Sequence, residues 1–188
     1  MLRISLVVAL AFFVGLSCEV YGQDVDQKTR ELVTALDKTK YKKKEKGNVS
    51  IEIYVNIKNE PVLRNAVDYG GNYATEDGMH GLTLTVDRDG RASGSGHDAI
   101  DNDRRVAFNL KDATLTGALL TATKVYENGV TQKFEAVFVN RTVSSGKNEG
   151  EIASRDTKFG LGFIQAGNSV DSAGRTMSWT NRIFLERR

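Results

Sequence analysis

From Val49 to Lys58 the chain alternates without a break. Val49, Ile51, Ile53, Val55 and Ile57 are apolar, and Ser50, Glu52, Tyr54, Asn56 and Lys58 take the positions between them. Successive side chains of an extended strand point to opposite faces, so this period of two predicts a half-buried β-strand. The same period returns downstream. Leu82, Leu84 and Val86 share one face of "GLTLTVD", and Val106, Phe108 and Leu110 share one face of "RRVAFNL". In "VTQKFEAVFVN", Phe134, Ala136 and Phe138 fall on one side and Val137 and Val139 on the other. Met177, Trp179, Ile183 and Leu185 share a face of "TMSWTNRIFL", with Asn181 as the exception.

Turn chemistry punctuates these runs. Asp89-Gly90 and Asn128-Gly129 supply residues that tolerate a positive φ and predict tight hairpins. "KDA" (residues 111–113) reads as a further turn, and residues 141–157 as a long polar loop. "YGGNYATED" and "KFGLGFIQ" are strand candidates rich in glycine, which in a strand marks a bulge or a close approach. "VLRNAV", after the lone Pro61, fits a helical turn or an edge strand.

One segment has a different period. In "DVDQKTRELVTALDKTK", Val25, Leu32, Val33 and Leu36 lie on one face of a helix. Asp24 or Asp26 can cap its start, and Lys38 and Lys40 suit its C-terminal dipole. The six lysines from Lys38 to Lys46 then read as a solvated linker ending at Gly47-Asn48, or as a patch for anionic lipid or polysaccharide. The expected fold is all-β with one N-terminal α-helix: an antiparallel meander of about 8–10 strands closing into a small barrel or sandwich. The rhythm from Gly71 to Gly90, "G-N-Y … L-T-L-T-V … D-G", resembles small meander barrels that bind lipophilic ligands.

The start of the chain changes the picture of where this domain works. Arg3, an uncharged apolar run from Ile4 to Leu16 and a small-residue zone have the layout of a secretory signal peptide. With Val20 at −3 and Gly22 at −1, residues 1–22 form the leader, residues 23–47 the helix and lysine-rich linker, and residues 48–188 the β domain. A rival cut leaves Cys18 as a lipid anchor, although Gly15 stands where lipoprotein processing favours leucine. Cys18 is the only cysteine, so the simple cut leaves no disulfide and the fold must rest on its core. A formal net charge of +2 recruits neither nucleic acid nor an acidic membrane by its overall field. The expected location is secreted or periplasmic.

The stretch "GSGHDAIDND" (residues 94–103) gathers His97, Asp98, Asp101 and Asp103. Imidazole with carboxylates suits zinc or manganese. However, while Asp101 and Asp103 can share a strand face, His97 and Asp98 cannot both join them without a turn, and no calcium-loop spacing is present. The stretch therefore reads as a polar inter-strand loop. No G-x-S-x-G elbow or P-loop lysine occurs, and no cofactor, metal or catalytic residue is expected. Tyr73, Phe163, Trp179 and Phe184 are the aromatics best able to line a pocket. The reading that fits best is a non-catalytic binding or envelope-associated domain, its partner a small lipophilic ligand or another envelope protein. The alternatives are a metal-dependent hydrolase using His97, Asp98 and Asp101, and a small outer-membrane barrel.

Overall fold

The computed structural model describes residues 26–46, 49–99, 104–147, 152–170 and 175–188. The expected leader, Cys18 and Asp101 lie outside the described residues. One helix, α1 (Gln27–Leu36), precedes ten strands: β1 (Lys38–Lys46), β2 (Val49–Pro61), β3 (Gly71–Ala74), β4 (Gly81–Val86), β5 (Arg91–Ala99), β6 (Arg105–Thr116), β7 (Leu119–Tyr126), β8 (Thr131–Gly146), β9 (Ser154–Val170) and β10 (Thr176–Arg187). A 3-10 turn, Ala66–Tyr69, enters β3. Strands β3 to β10 pair in chain order, every pair antiparallel. β10 returns to β3, which closes an eight-stranded up-and-down barrel. β1 and β2 are extra strands, attached as a hairpin to the lower half of β8, beyond the end of β7.

Closure removes the free edges that an open meander would expose. The inward face is the one predicted by alternation. Leu82, Leu84 and Val86, Phe108, Phe134, Ala136 and Phe138, and Ile183 and Leu185 are all buried in one cluster. Tyr69 and Phe138 fill one end of the barrel, their ring centroids 4.5 Å apart. The seam between β10 and β3 is short, pairing only Glu186 with Ala74 and Arg187 with Tyr73. Arg187 reinforces it by donating through Nη1 to the Asp68 carbonyl (3.0 Å) and through Nη2 to that of Gly70 (2.9 Å).

Helix α1 packs on the outside, against β2, β8 and β9. Asp26 caps it, accepting from the Thr29 backbone N–H at 2.7 Å. Val137 and Val139 face outward yet are buried, because their partners on β9 are Gly162 and Gly160. The bare backbone there lets Leu36 lie over Gly162 and Phe184 over Gly160. A methyl group added at Gly162 would sit 2.6 Å from Leu36 Cδ1.

Four expectations are corrected. The lysine-rich stretch is strand β1, paired along its length with β2, so Lys38 and Lys40 stand beyond the helix end and do not cap it. Residues 111–113 do not turn the chain. They form a bulge inside β6, with Asp112 at φ 52°, and the reversal comes at Gly117. Most of the expected loop at 141–157 continues β8 and opens β9, because these polar residues inherit extended pairing from one another. Residues 94–99 belong to β5 rather than to a loop, and their inward glycines make room for neighbours: Phe108 lies against Gly96.

Candidate functional site

Two places gather chemistry. The first is inside the barrel. Asp98 follows Gly96 at the inward phase of β5, and Lys124 and Tyr126 take the inward phase of β7 opposite Gln132 and Phe108. The Lys124 ammonium donates to Asp98 Oδ2 at 2.6 Å, the Tyr126 hydroxyl donates to the same oxygen at 2.7 Å, and His80 Nδ1 donates to Oδ1 at 3.0 Å. The ammonium also sits 4.4 Å from the ring centroids of Phe108 and Phe134 and 4.9 Å from that of Phe163. Burial pushes the Asp98 carboxyl up, but the His80 bond and the charge and bonds of Lys124 and Tyr126 outweigh it and hold it at about 2. Burial lowers Lys124, with Asp98 opposing, and raises Tyr126, with Asp98 adding to the effect. The result is a fully paired ion cluster. The Lys124 and Asp98 side chains are only 3% and 6% exposed. His80, at 15%, is the more open member of the cluster.

The second place is on the outside. Asp37, just past α1, accepts from the Asn59 backbone N–H (2.7 Å) and from Asn59 Nδ2 (3.0 Å), and Asn59 Oδ1 accepts from Arg141 Nε (3.0 Å). This relay aims the Arg141 guanidinium over the Phe184 ring, its Cζ 4.1 Å from the centroid. Burial pushes the Arg141 guanidinium down to about 10, with the Asp37 charge opposing. Arg141 and Phe184 form one wall of a groove of about 530 Å³, where Lys38, Lys40 and Arg182 complete the cationic lining beside Leu36. Arg182 is held by its Nε, which donates to the Ala35 carbonyl at 2.5 Å. The charge of Lys40, then burial, then Arg182 depresses Lys38, as expected when cations crowd together. Asp77 is the acid on the rim, and its carboxylate is already engaged by Thr75 Oγ1 and the Met79 N–H. On the other side of Arg141 a recess of about 370 Å³ carries Glu76, Asp156 and Glu186 beside Lys158. The groove is therefore cationic only on the side of α1 and β10. At the opposite end of the barrel a further groove of about 570 Å³ runs past Arg64 and Arg88, with Asp89 offsetting them.

The four aromatics singled out from the sequence do not converge. Tyr73 is buried in the barrel, its hydroxyl donating to the Tyr69 carbonyl at 2.5 Å, and burial pushes it up to about 12. Phe163 lines the ion cluster. Trp179 lies over Gly167, 37% exposed, on the β9–β10 hairpin. Only Phe184 belongs to the groove. His97 and Asp98 point to opposite faces: His97 Nε2 donates to the Gly78 carbonyl outside (3.1 Å), while Asp98 faces the interior. Among the described residues, no three His, Cys, Asp or Glu side chains are grouped to hold a metal ion.

The residues of these two places that sequence reasoning passed over include His80, Lys124, Tyr126 and Arg141. Lys124 carried a signal: it shares the phase of Leu120 and Ala122, so a charge was due to face the core. Arg141 carried none, since its relay spans residues far apart in the chain. The fold defines the class, a closed eight-stranded antiparallel barrel with an outer helix and an added hairpin. Beyond that class there is no relative to name: no protein-family model matches the chain, and no characterised protein or solved structure is significantly similar to it.

Proposed function

We propose that this chain is an exported, non-catalytic binding domain that meets its partner on the outside of the barrel. The single observation behind this reading is the Arg141–Phe184 groove, an open concave surface whose two arginines are held in place by side-chain and backbone acceptors. The described part of the barrel interior is occupied by packed side chains. Phe138, Leu120 and Leu161 are fully buried within it, and Lys124 already takes the space between Phe108, Phe134 and Phe163. A lipophilic ligand would have to displace an ion pair. The outer positions of the barrel also disfavour a lipid-facing role, since Thr83, Thr85, Asn109, Lys111, Lys133 and Glu135 are exposed there. Titrating fatty acids, haem and hydrophobic dyes while following the fluorescence of Trp179 and of the dyes tests the reading. No saturable change is expected, and a saturable one would return the binding site to the interior.

A further inference from the structure

We propose that the groove bounded by Lys38, Lys40, Arg141, Arg182 and Phe184 binds the oxyanion groups of an acidic polysaccharide. The inference rests on the outer-surface reading given above. Among the described residues, none of these four cations forms an ion pair, although Lys28, Lys58, Lys124 and Lys158 all do. Crowded like charges repel one another, and an arrangement of this kind is relieved by an anion placed among them.

Three parts of the fold bring the four cations together. Arg141 is aimed by Asn59 and backed by the Phe184 ring, Arg182 is tied to the last turn of α1, and Lys38 and Lys40 are two apart on β1 and so share a face. A guanidinium with its Nε engaged still presents N–H donors to carboxylate or sulfate oxygens. The shape narrows the choice of ligand. The Arg141 head is half-buried between Ile57 and β10, so a flat bilayer surface cannot reach it, whereas a slender chain of charged sugars can lie along the groove.

The test uses the chain from Gln23 to Arg188 with two probes, polygalacturonate and a sulfated glycan, followed by calorimetry. At low ionic strength at least one probe binds saturably, and binding weakens on raising salt from about 0.01 M to 0.15 M. Exposed charge contacts contribute about two- to threefold each, so the Lys38→Gln/Lys40→Gln/Arg182→Gln variant binds about tenfold more weakly. A control with Arg91→Gln, Lys111→Gln and Lys133→Gln, the same charge removed elsewhere on the barrel, stays within about twofold of the parent. Arg141→Gln provides a separate readout, with its fold checked by thermal melting. Absence of binding to both probes overturns the proposal, as does equal binding by the first variant. Tighter binding to anionic vesicles or to single-stranded DNA, lost in the same variant, also overturns it. A negative result here combined with no lipophilic ligand in the fluorescence titration sinks only the polysaccharide and leaves the outer-surface reading standing.

Discussion

Replacing Lys124 with Met removes one charge from the barrel interior and little volume. The pair it breaks is short, 2.6 Å, and almost completely enclosed. Removing one partner of such a pair strands the other, at a typical cost of about 3–5 kcal/mol. Asp98 keeps its bonds from His80 and Tyr126, which places this case at the lower end, about 3 kcal/mol. For a domain of this size that corresponds to a fall in Tm of roughly 6–12 °C at neutral pH. Adding Asp98→Asn to Lys124→Met recovers part of the loss, because a neutral amide costs less to bury than a carboxylate. The acid limb moves as well. In the parent the Asp98 carboxyl sits at about 2 instead of 3.8, so its contribution of about 2 kcal/mol is complete above pH 4 and is lost as the pH falls through 2. Without the ammonium one of the causes that depress the carboxyl is gone, so the stability lost between about pH 4 and pH 2 is smaller in Lys124→Met than in the parent. Thermal melts of the three proteins between about pH 2 and pH 7 provide the assay. A Lys124→Met protein that melts within about 2 °C of the parent at neutral pH would refute the reasoning.

Three further outcomes follow from the packing. Gly162→Ala pushes Leu36 off β9 and lowers stability by about 1–3 kcal/mol in urea unfolding, with the helix loosening first. Asp26→Ala removes the α1 cap and costs about 1 kcal/mol in the same assay. Arg187→Ala weakens the two-residue seam, so amide exchange at Tyr73 and Ala74 quickens while that of Leu120 and Phe138 does not.

Where one face of a strand meets a packed interior, the primary structure announced the strand. Leu82, Leu84 and Val86, and Phe134, Ala136 and Phe138, needed nothing but their alternation. Of the two strands outside the barrel, β2 alternated plainly and β1 was hidden. Lys38–Lys46 has no apolar face, and it is extended because β2 holds its backbone; β2 gains its place in turn from β8. The polar residues after Val139 are strand for the same reason, as pairing was fixed by neighbours far along the chain. The candidate site follows this division. Phe184 was visible as an aromatic in a strand, but Asp37, Asn59 and Arg141 come together only once β2 has docked. The histidine and aspartates of residues 94–103 show the converse: adjacency in sequence separated His97 from Asp98, because neighbours on a strand face opposite ways.

Which surface the partner touches is read most directly by amide chemical-shift mapping of the chain from Gln23 to Arg188, with a sulfated oligosaccharide added in steps. The predicted result is a set of saturable shifts around Lys38, Lys40, Arg141, Arg182 and Phe184, with the interior unchanged. Shifts concentrated at Phe108, Lys124, Phe134 and Phe163 would contradict it.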